Sequence, residues 1–186
     1  MINKYNKKTN YFLNKNGDEI IKKMVVIRVP ITSIFNMIIK TFNNTYYDKY
    51  FHLSLIINDK YIIEKNEIIN ISYYKKTIIK DGQYLPINYL NIQHYIINND
   101  LIPNISIKQL LYNTQQYMGS SYFYYSGLKN NCQDYILSIL KSNGINDDNL
   151  NNFIKQDVNY IKNNWPTIRN IMNFSTNIAA IISHNI

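Results

Sequence analysis

Three short apolar runs separated by two turn signals fill residues 51–74, and they restrict the chain to folds built around an antiparallel sheet. Phe51-His52-Leu53-Ser54-Leu55-Ile56-Ile57 reads as a strand, Asn58-Asp59 as a turn and Lys60 to Lys65 as the returning strand. Asn66-Glu67 turns again, and Ile68 to Tyr74 reads as a third strand. Strict alternation fails at Leu55-Ile56-Ile57 and Ile62-Ile63, which predicts a sheet covered on both faces. The β-branched run Met24-Val25-Val26-Ile27-Arg28-Val29, stopped by Pro30, predicts a further buried strand. Helical spacing follows in Ile34 to Phe42, Ser106 to Met118, the segment after Asn131 and the segment after Asn149 or Asn151. Tyr89 to Asn98 reads as either a strand or a short helix. The expected class is α+β, an antiparallel sheet packed with helices.

A chain of 186 residues, 46% of them hydrophobic, holds one domain with a real core. It divides into a polar arm over 1–22, loosely ordered or a short helix, a main domain over 23–145 and a helical extension over 146–186 that packs on it. The last part of that extension, Ile168 to Ile186, is amphipathic and too polar to span a bilayer. The formal net charge of +8 comes from scattered lysines, in a chain rich in the Asn, Lys, Ile and Tyr that A/T-rich codons specify. That pattern argues against nucleic acid as a partner. It is compatible with peripheral contact to an anionic membrane surface. Met1 to Asn16 carries no apolar signal-peptide core, so a cytoplasmic protein is expected. Nothing in the pattern fixes an oligomeric state.

Chemistry points to one place. Cys132 is the only cysteine, which excludes an internal disulfide, and no cysteine cluster or paired histidines suggest a metal. Asn131 is a good N-cap, Asp134 completes a capping pattern and Gly144 is a stop, so Cys132 opens a helix striped by Tyr135, Ile136, Ile139 and Leu140. At a helix N-terminus the dipole favours a thiolate, and the free N–H groups can hold an oxyanion. The competing reading is a small buried hydrophobe. His52 shares its strand face with Ser54 and Ile56, while His94 and His184 sit in less organised surroundings. Around a tight turn, residue 52 comes out roughly opposite 64 or 65, so the Glu64 carboxylate can hold the imidazole. Tyr122-Phe123-Tyr124-Tyr125 serves either as core or as the wall of an apolar cleft.

Together, Asn131-Cys132-Gln133-Asp134-Tyr135-Ile136 and the pair His52 and Glu64, twelve positions apart, resemble the circularly permuted papain-like, or permuted NlpC-type, superfamily. That superfamily includes the lecithin retinol acyltransferase-like proteins. Tyr47 to Leu53, Ile63 to Glu67 and Asn130 to Gly144 are similar to a subgroup met in large DNA viruses. Two departures stand out: Gln133-Asp134 replaces the acyltransferase Glu-His, and Glu64 replaces a second histidine. The resemblance covers about residues 23–145 and implies a permuted papain-like catalytic domain there. It implies Cys132 as nucleophile, His52 as base and Glu64 as the group that orients it. The Cys132 N–H would hold the oxyanion, with Tyr47 and Tyr124 as candidates for the second donor. The activity implied is thiol hydrolysis or acyl transfer on an amide, ester or thioester, from a peptide or lipid acyl substrate, with no metal or organic cofactor needed. The alternative is an inactive structural or interaction protein that keeps the fold, such as a virion component. The location implied is host cytoplasm or virion.

Overall fold

The computed structural model describes residues 5–30, 51–75, 77–80, 83–86, 92–126 and 130–155. The helix expected over Ile34 to Phe42, Tyr47 and the tail from residue 156 onward lie outside them. Seven strands and four α-helices are described: α1 (Lys7–Asn16), β1 (Met24–Pro30), β2 (Phe51–Ile57), β3 (Tyr61–Lys65), β4 (Ile69–Tyr73), β5 (Thr77–Lys80), β6 (Gln83–Pro86), β7 (Gln93–Ile96), α2 (Ile107–Met118), α3 (Cys132–Ser142) and α4 (Asp148–Ile154). Five strands form one sheet in the order β4-β3-β2-β1-β7, every pairing antiparallel, and β5 and β6 form a separate hairpin. The class is α+β, with the meander of residues 51–73 at one side of the sheet.

Asn58 and Asp59 both take φ of 54°, the pattern of a tight two-residue turn whose twist suits a hairpin. Asparagine tolerates that conformation, and here its side chain is also used. Asn58 Oδ1 accepts the backbone N–H groups of Lys22 and Lys23, which fastens the turn to the segment leading into β1. The turn sets Ile57 opposite Tyr61 and Ser54 opposite Glu64. The sequence expectation that 52 faces 64 or 65 is therefore off by one diagonal step. Glu64 still shares the His52 face, because the displacement is two residues along the strand.

The sheet is covered on both sides. Leu53, Leu55, Ile57, Ile63 and Ile71 join Met24 and Val26 under the helices, where Ile136, Ile139 and Leu140 of α3 and Leu110 and Leu111 of α2 close the main core. On the other face Val25, Ile27, Ile56 and Ile62 form a smaller cluster with Tyr74 and Ile92 against it. The arm expected over 1–22 is partly core. α1 buries Phe12 and Leu13, and the Thr9 hydroxyl donates to the Ile69 carbonyl of β4. It reads as polar because only a narrow face points inward. Among the described residues no helix is long and apolar enough to cross a membrane.

Candidate active site

α3 begins at Cys132, and its first turn is held by a full capping box. Asn131 Oδ1 accepts the N–H groups of Gln133 (2.8 Å) and Asp134 (3.2 Å), and Asp134 Oδ2 accepts the Asn131 N–H (3.1 Å). The cap leaves the Cys132 N–H out of its own bonding, at the positive end of the helix dipole.

α3 packs across β2 and β3 and so brings Cys132 to the His52 end of β2. Both the Cys132 thiol and the Glu64 carboxylate act on the imidazole. His52 Nε2 is 3.4 Å from Glu64 Oε1. That 3.4 Å contact is electrostatic rather than a well-aligned hydrogen bond, since Nε2 has no aligned partner among the described residues. Glu64 Oε1 is instead the acceptor of the Ser54 hydroxyl at 2.8 Å. Contacts of this kind commonly tighten when substrate binds.

Burial pulls the imidazole pKa down. The polar contacts and negative charge of Cys132 and Glu64 beside it outweigh burial, and the value is pushed up to about 10. The imidazolium therefore persists through neutral pH. With the folded value above the ordinary one, protonated His52 adds stability in full below about pH 6.5. That contribution is lost as the pH rises through about 10.

Glu64→Gln isolates the carboxylate, because it keeps an acceptor for Ser54 and removes the charge. The His52 pKa is expected to fall by at least about one pH unit, read from the imidazole proton shifts of a chain with three histidines. An unmoved titration would show that Glu64 does not act on the imidazole.

The two tyrosines expected to complete an oxyanion site fare differently. Tyr47 lies outside the described residues. Tyr124 is 63% exposed, and the phenol that feels the sulfur is that of its neighbour Tyr125. Burial, then the charges of Cys132 and Glu67, push the Tyr125 hydroxyl above its usual range. The aromatic cluster is otherwise core. Tyr122 is fully buried, and its hydroxyl is bonded to those of Tyr5 (2.6 Å) and Tyr135 (3.3 Å).

Cys132 is 6% exposed and His52 8%, so both side chains are covered by protein. A cavity of about 600 Å³ lies elsewhere, at the β2–β3 turn, lined in part by Lys22, Lys23, Asn58 and Lys60. It is at the far end of β2 from His52 and has no share in this chemistry. Among the described residues no group of three or more His, Cys, Asp or Glu side chains is arranged to hold a metal ion.

Sequence reading missed Ser54 as a partner of Glu64, and Tyr125. The only signal for Ser54 was its place on the His52 face. For Tyr125 no local signal separates it from Tyr124. Comparison of the chain with protein-family models, curated proteins and solved structures returns no match.

Proposed function

We infer that the protein is a cysteine hydrolase or acyltransferase of the circularly permuted papain-like kind, working through a covalent acyl-enzyme on Cys132. The observation that carries the reading is one imidazole held between a thiol at the first residue of a capped helix and a buried carboxylate. Such a trio is the arrangement by which a base activates a nucleophile and a third group orients the base. The order along the chain supports the permuted form, since the histidine strand precedes the cysteine helix.

In this reading the proton shared by the pair rests on His52, and the sulfur adds as a thiolate to the acyl carbon of an amide, ester or thioester. The carbonyl electrons move to oxygen, which the Cys132 N–H faces. Collapse expels the amine, alcohol or thiol, which leaves with the proton from His52. Water or an acceptor then gives a proton to His52, attacks the thioester and releases the acyl product and the Cys132 sulfur. A peptide or a lipid acyl group both suit this chemistry. With a lipid substrate, the net charge of +8 favours transient contact with an anionic surface in the cytoplasm.

One observation favours a second reading, an inactive structural or interaction protein. Both reacting side chains are buried, as packing residues are.

Intact-mass measurement after exposure to activated acyl esters, acyl thioesters and peptide anilides separates the two. Catalysis predicts an acyl adduct on the wild type that decays with time and is absent from Cys132→Ala. Absence of an adduct from every class would leave the structural reading.

A further inference from the structure

Successive residues of β3 point to opposite faces of the sheet. Glu64 meets His52 on one, and Lys65 enters the helix-covered face beside the cysteine loop. Lys65 is only 1% exposed, and among the described residues no carboxylate lies within ion-pair distance of its Nζ. Its ammonium donates to Asn130 Oδ1 (3.1 Å) and to the Ser121 carbonyl (3.3 Å), and it lies 5.2 Å from the centroid of the Tyr135 ring. Asn130 in turn donates its amide to the carbonyls of Ser121 and Tyr124, both at 2.6 Å. Its backbone pairs with Ser126 in both directions. The path into α3 thus closes around Asn130, one residue before the cap and two before the nucleophile.

Burying an ammonium on neutral acceptors costs several kcal/mol, where an apolar side chain of similar length would be neutral or stabilising. Stability alone therefore does not account for a lysine here. We propose that Lys65 is a positioning residue for Cys132, clamping Asn130 and Ser121 so that the first turn of α3 holds the sulfur against His52. The proposal rests on the reading of Cys132 as nucleophile. Adjacent residues of β3 then serve the two reacting groups, Glu64 by orienting the base and Lys65 by fixing the nucleophile.

The clamp is also sensitive to pH. Burial draws the Lys65 pKa down to about 8, with the Asp134 charge working against it. Asp134 and Tyr135, both on α3, are the titratable groups that face it, while Ser121 and Asn130 present neutral acceptors from the loop. Above that pH the clamp keeps only the weaker donors of a neutral amine.

The test is the rate of Cys132 alkylation by iodoacetamide between pH 6 and 10, read by intact mass on wild type, His52→Ala and Lys65→Met, beside a thermal melt of each. Lys65→Met is expected to melt at or above the wild-type temperature yet react about tenfold more slowly at pH 6.5, as a small displacement of a reacting atom would produce. The gap should narrow above pH 8. Wild-type rates in Lys65→Met at every pH would overturn the proposal. So would a deficit of equal size at pH 6.5 and 9.5, or a variant that does not fold, each of which makes Lys65 a packing residue. A wild-type cysteine that is slow and indifferent to His52→Ala is a different failure: it removes the nucleophile reading, and this proposal with it.

Discussion

Replacing His52 by alanine should slow alkylation of Cys132 at pH 6.5 by about 100-fold. In the variant no imidazolium faces the sulfur, and the thiolate that alkylation requires loses that stabilisation. In the wild type the neighbouring imidazole holds its proton well past neutrality, so a cation faces the sulfur throughout the physiological range. Positioned proton-transfer groups contribute about 100-fold to 10,000-fold, which brackets the same figure. The two rates should converge in alkaline solution, where an unassisted thiol is itself ionised and His52 loses its proton. Equal rates for the two proteins at pH 6.5 would end the catalytic interpretation, whatever the distance between the side chains.

The second large effect concerns the surface that brings those side chains together. Ile136 lies one turn into α3, fully buried in the core that also holds Leu53 and Leu55 of β2. Ile136→Ala removes methyl groups from a position where the rigid sheet beneath limits collapse, so a cavity remains. The expected cost is about 3 kcal/mol, which lowers the melting temperature by about 10 °C in a domain of this size. Calorimetry would measure it. A loss below about 1 kcal/mol would mean that α3 is not docked on β2 as described.

Much of this was legible in the residues because it is local. The meander announced itself through three short apolar runs and Asn58-Asp59, and the cysteine helix through its own cap and stripe. What escaped depends on distant partners. The register needed the actual turn geometry, and a miscount by one step moved Glu64 from opposite His52 to diagonal. β7 pairs with β1 across more than sixty intervening residues, and three of its four side chains are exposed, so it carried little pattern. α1 looked solvated because its few buried residues are spread through lysines and asparagines. Tyr124 and Tyr125 differ only in which way the loop presents them, where Asn130 donates to the Tyr124 carbonyl.

The hairpin turn at Asn58-Asp59 has a bearing on how the length of this chain is free to vary. Were a single extra residue there taken into the pairing rather than the loop, β3 would slide past β2 by one place and every side chain on β3 would change face at once. Lysine would then arrive at the histidine, and the carboxylate would enter the apolar layer beneath the helices. Insertions of two restore the faces but move the acid away from its base. A bend where added residues would ordinarily cost a fold least is therefore the place where the spacing of His52 and Glu64 is kept.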